Sequence, residues 1–442
     1  MPKLSGRLNQ YRYCRDTSCL SIRHRWVTSK RAPDRVASYQ EAVILPELAN
    51  TPGQPATPTS VSRWAVLAVL VVARLGVGFQ FIAIAALMSD FRADLGADHA
   101  EIGVLLGIFM LTGIFLSLPS GMIAARFGDR RILLAGLAAL SVGGLIVALS
   151  ETVSVAILGR MVAGLGAVFT SVTAAKVVAD RFVGREIATA MSFLGLAWPL
   201  GIAFGVSLLP ILGDLSGWRL GIIATAVMPA VAAAVVVLLP MGSAAAPEKT
   251  DAPFWNLSRR EFMLVSVCGL AWPLMATGGY VIFSSYAPSL LLEQGLSAGS
   301  AGMTASLLSW LVAAMIPIGG WLADRTGKGD LLVWLGCGVA AIAIAMVPLG
   351  GPIELWIVVS ATLGLTVGRL MSLPTEFLSA RSRATGMGVF YTIYYAGTAG
   401  LPVVAGVVLE VSGSIDLVIW FSAACLVLSP IMLQSYRMLR RL

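Results

Sequence analysis

The sequence predicts an all-α membrane protein, with twelve transmembrane helices in two pseudo-symmetric six-helix bundles. Three observations predict it. The 442 residues are 57% hydrophobic and 12% charged, with a mean hydropathy of +0.84, which is more apolar surface than a soluble domain can bury. From Trp64 onward the chain falls into twelve apolar runs, each near the ~20 residues that a helix needs to cross a bilayer. A basic, glycine-rich hinge follows the second run, Gly121-Met-Ile-Ala-Ala-Arg-Phe-Gly-Asp-Arg-Arg131. It returns in diverged form after the eighth as Gly320-Trp-Leu-Ala-Asp-Arg-Thr-Gly-Lys328, as expected of a duplicated membrane protein whose halves move against one another.

Residues 1–62 are polar and arginine-rich and end in a proline-threonine stretch. They hold no apolar core of a signal peptide and are expected to form a disordered, basic cytoplasmic tail. Cys14, Cys19 and His24 have no fourth partner with metal-ligand spacing, and no metal or other cofactor is expected. The spans 64–88, 101–125, 131–150, 153–178, 186–212 and 218–240 make an N-terminal half over 63–240. A polar connection over 241–260 is expected to be the cytoplasmic linker. The spans 261–287, 298–323, 331–350, 353–375, 384–409 and 414–436 make a C-terminal half over 261–436, followed by a basic tail at 437–442. Cys268, Cys337 and Cys425 lie inside apolar runs and are expected as small core residues, not disulfides.

Loop charge sets the expected orientation, because arginine and lysine are retained on the cytoplasmic side. Connections after the even spans carry Arg126, Arg130 and Arg131; Arg181 and Arg185; Lys249, Arg259 and Arg260; Arg325 and Lys328; Arg381 and Arg383. Those after the odd spans carry only Arg92 and Arg219. Both termini are therefore expected on the cytoplasmic side of a bacterial inner (plasma) membrane.

A second internal match supports the duplication. Ala188-Thr-Ala-Met191 opens the fifth span and Ala384-Thr-Gly-Met387 the eleventh, each just after a basic loop. Together with the hinges, these residues resemble the major facilitator superfamily, whose hinge pattern is Gly-x-Leu-Ala-Asp-Arg-x-Gly-Arg-Arg. Gly121, Arg126, Gly128 and Arg130 match in the first copy; Gly320, Leu322, Ala323, Asp324, Arg325 and Gly327 match in the second. The first copy has Ala125 where the family places aspartate, with Asp129 as a candidate substitute. Arg160, Gly164 and Gly166 resemble the family's Arg-x-x-x-Gly-x-Gly motif. The Gly-Pro-x-x-Gly-Gly signature of its drug antiporters is missing from the fifth span. Ala73–Gln80, Lys176–Phe182 and Gly388–Tyr395 are similar to bacterial members grouped with cyanate and nitroimidazole permeases.

An ionisable group inside hydrocarbon costs roughly 2.5–3.5 kcal/mol on insertion scales and is a functional candidate by default. Arg74 lies about ten residues into the first span, roughly 15 Å along a helix and near mid-membrane; it is the leading candidate for an anion-binding residue, against a structural role bonded to backbone carbonyls. Lys176 and Arg369 lie nearer the inner ends, where each can also snorkel. No aspartate or glutamate falls near the centre of a span; Asp324, Glu376 and Glu410 are near helix ends. Cationic groups without opposing carboxylates favour a small organic or inorganic anion, with arginine as a planar donor fork. The resemblance implies a lining from spans one, four, seven and ten with parts of five, eight and eleven, where Gln80, Thr173, Tyr280, Tyr391, Tyr394 and Tyr395 are candidate contacts, with aromatic packing as the alternative. Trp198 and Trp272, each before a proline, are read as kink markers.

The expected activity is secondary transport of a small solute by rocker-switch alternating access, with the bilayer and the solute as partners, no nucleic acid, and a monomeric carrier. Protons are a candidate coupling ion through Lys176, Glu376 or the substrate itself. The alternatives are an exporter of hydrophobic compounds on the same fold, a non-transporting sensor, and a membrane enzyme. No span offers a histidine, or a nucleophile beside a base, so an enzyme is not expected.

Overall fold

The computed structural model describes residues 62–442 apart from 185, 239–254, 294, 296, 351 and 352. The expected tail before Ser62, most of the linker, and Cys14, Cys19, His24, Arg185 and Lys249 lie outside the described residues.

The described chain is built from α1 (Arg63–Ala86), α2 (Met88–Leu95), α3 (His99–Phe127), α4 (Asp129–Ala148), α5 (Val153–Phe182), α6 (Ile187–Ser216) and α7 (Trp218–Leu238), and then α8 (Arg259–Pro273), α9 (Ile282–Glu293), α10 (Ala298–Thr326), α11 (Gly329–Met346), α12 (Ile353–Ser360), α13 (Val367–Ser372), α14 (Arg383–Ser412) and α15 (Ile415–Arg441). They supply twelve helical segments long and apolar enough to cross a membrane. Sequence-local caps fix several starts: Asp98 with Glu101 and Ser258 with Glu261 form reciprocal capping boxes at α3 and α8, satisfying amides that a helix leaves unpaired. Gly128 and Gly327, at φ 88° and 66°, end α3 and α10 at the two hinges, in backbone conformations that glycine adopts without steric cost.

Two spans depart from the plain helices expected. The seventh runs from α8 through a π-helical stretch, Leu274–Val281, into α9. Pro273 opens it, and the carbonyls of Gly278 and Gly279 accept from Ser422 Oγ of α15 at 2.7 and 2.9 Å, while Ser429 Oγ donates to Ala271 O at 2.8 Å. Hydroxyls of a neighbouring helix thus satisfy carbonyls where the regular ladder fails. Ser422→Ala is expected to lower thermal stability by about 1 kcal/mol, given that interhelical hydrogen bonds in membranes average about 0.6 kcal/mol each, as a shift in the unfolding midpoint in detergent. The tenth span tightens to 3-10 geometry over Ala361–Thr366 and again over Leu373–Glu376. Thr362, Thr366, Ser372 and Thr375 each donate to the carbonyl three residues earlier, a local bond that competes with the i to i−4 ladder.

The bundles meet at the end that carries the two hinges. A Cβ on Gly121 of α3 would stand 2.2 Å from Ala384 O of α14, and one on Gly388 of α14 would stand 2.7 Å from Ser117 O of α3. The second copy repeats the arrangement: a Cβ on Gly320 of α10 would stand 2.6 Å from Ala188 O of α6. Eighteen residues are five helical turns, so Gly103 lies on the face of Gly121, and Gly406 on the face of Gly388. Neither has an atom within 4 Å of a built Cβ. Helices α3 and α14 therefore touch at the hinge end and leave open space beside Gly103 and Gly406 toward the other, with the site between. Gly121→Ala is expected to force the hinge-end contact apart, because the opposing atom is backbone; increased labelling of a cysteine placed at Ala384 would report it.

Candidate functional site

Arg74 is the twelfth residue of the 24-residue α1 and is buried, at 3% exposure. Its Nη1 donates to the Tyr391 hydroxyl of α14 at 2.7 Å, which joins the two bundles, and the guanidinium carbon stands 5.6 Å from the Tyr391 ring centroid. Its Nε is buried with no hydrogen-bond partner. Tyr391, Tyr395 and Tyr394 stand beside its charge. Among the described residues no carboxylate pairs with it. One arm of the donor fork is thus used, and among the described residues the positive charge has no anionic counterpart.

Aromatic rings wall this charge. Trp272 of α8 stacks on Tyr394 at 4.0 Å and on Phe390 at 5.3 Å, and meets Tyr391 edge-on at 5.5 Å. The Tyr395 ring lies where a Cβ on Gly113 of α3 would go, 2.4 Å away, so that position must stay glycine for the ring to seat. Tyr391 and Tyr395 are buried, whereas Tyr394 keeps partial exposure eleven residues into α14. Trp272 therefore belongs to the aromatic wall as well as preceding the irregular stretch; its proline hid that role in the sequence.

The other candidates fall into separate groups. Arg160 uses all three nitrogens on carbonyls of Leu105, Gln80 and Phe81, at 3.0, 2.9 and 3.2 Å, and lies 4.3 Å from the Phe109 ring. Gln80 donates to Leu140 O at 3.1 Å, and its Oε1 has no partner beside a cavity of about 10 Å³ that Arg160 and Thr225 also line, room for about one water. Gly164 and Gly166 let α5 approach its neighbours: a Cβ would stand 2.8 Å from Phe109 O and 2.4 Å from Leu140 N, respectively. Thr173 is buried with its hydroxyl unpartnered. Tyr280 donates to Ser309 Oγ at 2.9 Å. Trp198 packs on Phe81 at 5.1 Å.

Lys176 and Arg369 sit in ion clusters at the hinge end. Lys176 bonds Asp129 at 2.6 Å and Asp180 at 2.8 Å, and Asp180 also takes Arg383 of α14 across the bundles. Arg369 pairs with Asp330 and Glu376, which further hold Arg437, while Glu376 also takes Arg440. Asp180 and Asp330 carry no sequence signal of their own beyond the placing of Asp180 four residues after Lys176 on one helix face, and Arg383 and Arg437 read in sequence only as cytoplasmic loop and tail charges.

The two hinge copies differ where their sequences differ. Helix α6 has no side-chain cap of its own; Asp324 of α10 supplies one from the other bundle. It accepts from Ala188 N at 3.1 Å, Thr189 N at 2.7 Å and Thr189 Oγ1 at 2.6 Å. Helix α14 has no side-chain cap either. Ala125, the counterpart of Asp324, offers no acceptor, and the hydroxyl of Thr385, the counterpart of Thr189, is buried without a partner. Asp129 is engaged by Lys176 and does not take over that cap. In its place the Asp180–Arg383 pair joins the bundles at the first residue of α14. Arg130 donates to Val237 O at 2.8 Å, and Arg325 lies 5.0 Å from the Trp321 ring.

Twelve crossing helices in two bundles, closed on each other at one end around a buried cationic centre, define a membrane carrier. The Major Facilitator Superfamily model matches residues 66–402, and the chain belongs to that superfamily of transporters. Over 169 residues, 37% of this chain, it is 30% identical to the inner membrane transport protein YajR of Escherichia coli, and that match spans 36% of YajR's length. Over 301 residues, 64% of this chain and 68% of the relative, it is 26% identical to an MFS-type efflux pump of Mycolicibacterium smegmatis. The crystal structure of the human organic anion transporter TETRAN shares the fold, with a TM-score of 0.67 at 16% identity over 85% of this chain and all of that one.

Proposed function

We propose that the protein is a secondary transporter of small anions, working by alternating access, with Arg74 as the residue that holds the anion. The observation that carries the substrate class is the buried guanidinium with an unpartnered Nε and no carboxylate beside it among the described residues. A desolvated cation is stable only with a partner, and arginine's planar fork matches carboxylate-like groups. Loop charge supports the hinge end as the cytoplasmic one in a bacterial plasma membrane. On that reading α3 and α14 are closed toward the cytoplasm and apart toward the outside, with Asp324 and the Asp180–Arg383 pair as the inner locks.

A thermal-shift series on the purified full chain tests the reading, since a ligand that binds only the folded state raises apparent stability. Nitrate, methanesulfonate, lactate and benzoate are the anionic probes, and tetraphenylphosphonium is the hydrophobic one. A concentration-dependent rise with at least one anion is expected. A rise with tetraphenylphosphonium alone would overturn it in favour of a hydrophobic-compound exporter.

A further inference from the structure

We propose that this carrier is an obligatory exchanger, moving one anion inward only as another moves outward, because among the described residues its central charge has no carboxylate to travel with through the occluded state. The proposal rests on Arg74 being the anion-binding residue.

The groups around Arg74 are Tyr391, Tyr394 and Tyr395 of α14, with Trp272 of α8 stacked behind them and Gly113 of α3 under Tyr395. None is a carboxylate or a histidine, and arginine itself does not give up its proton in a protein. The carboxylates that reach furthest into the bundles are committed elsewhere. Asp129 and Asp180 hold Lys176 and Arg383; Asp330 and Glu376 hold Arg369, Arg437 and Arg440; Asp324 caps α6. Each lies in the terminal turns of its helix or span, at the hinge end. A carrier that couples to protons through a side chain at its central site needs a group there that neutralises the charge when the site is unloaded and releases it when protonated. No described side chain beside Arg74 can do this.

Arg74 is already buried, at 3% exposure, and alternating access passes through a state in which both ends close on it. An unaccompanied guanidinium there bears a desolvation penalty of several kcal/mol. A bound monovalent anion cancels the charge and supplies the acceptor that Nε lacks. The loaded carrier therefore crosses more easily than the unloaded one. Each 1.36 kcal/mol of barrier difference is tenfold in rate, so exchange is expected to exceed net uptake by at least about tenfold. Two monovalent anions passing in opposite directions move no net charge and no proton.

The test uses full-length wild-type protein in proteoliposomes, with potassium buffer on both sides and valinomycin holding the voltage at zero. Uptake of isotopically labelled nitrate, methanesulfonate, lactate and benzoate is measured into vesicles holding either the same unlabelled anion or buffer alone, and protein-free vesicles give the leak. Exchange faster than net uptake by about tenfold or more, and unchanged by an imposed proton gradient, is the expected result. Net uptake as fast as exchange, or uptake driven by the proton gradient, overturns obligatory exchange and leaves the anion site standing. Flux of none of the four anions in either condition overturns the anion reading and the exchange proposal with it.

Discussion

Arg74→Ala is expected to abolish both the anion-induced thermal shift and anion flux, while leaving the unloaded protein folded and no less stable. Truncating one partner of a buried charge pair costs about 2–5 kcal/mol, so affinity is expected to fall by more than about thirtyfold. The stability half of the prediction separates the two roles open to this residue. Arg74 bonds a tyrosine hydroxyl and leaves Nε unpartnered, so its removal lifts a desolvation penalty. Arg160, which satisfies three carbonyls, shows the opposite case: Arg160→Ala orphans those carbonyls and is expected to lower the unfolding midpoint. A fall in midpoint for Arg74→Ala, with anion binding retained, would show that Arg74 is structural.

Asp324→Asn is expected to weaken hinge-end closure far more than Asp129→Asn. Asp324 bonds two amides and a hydroxyl at the start of α6 across the bundle interface, and a carboxylate at a helix N-terminus is worth up to about 2 kcal/mol in partly buried settings. Its loss shifts the closed population by up to about thirtyfold. Asp129 bonds Lys176 within its own bundle, and Lys176 retains Asp180 when Asp129 is neutralised. Spin labels at Gly103→Cys and Gly406→Cys, on the separated ends of α3 and α14, read the outcome as a distance distribution. Ala125→Asp is the converse experiment: a carboxylate at the position that corresponds to Asp324 is expected to reach the uncapped start of α14, adding a second cap to the closed state and slowing cycling. Equal shifts for Asp324→Asn and Asp129→Asn would show that the copies share the locking.

The hinge makes plain why some of the site was legible in sequence and some was not. Asp324 was visible as a motif residue, and Ala125 as a departure from it. That Asp129 does not compensate is a matter of direction: it is the first residue of α4 and points back at Lys176, while the start of α14 is served by Asp180 from α5. Spacing along the chain orders residues on one helix and carries nothing about which helix stands opposite. For the same reason Lys176 and Arg369 read as lone cations in sequence and are paired in space. Trp272 read as a kink marker because of its proline, and its stacking on Tyr394 depends on how α8 lies against α14.

The sequence by itself determined the class of fold, the number of spans, the repeated hinge and the mid-helix place of Arg74, because hydropathy over ~20 residues and helical rise are local quantities set by composition and length. Only the tertiary structure decided that Arg74 has no counter-charge among the described residues while Lys176 and Arg369 have theirs, that one hinge has a cap and the other an ion pair in its place, and that the bundles are closed at one end. Those outcomes depend on which side chains converge from helices far apart in the chain, where burial fixes the cost of every unpaired charge.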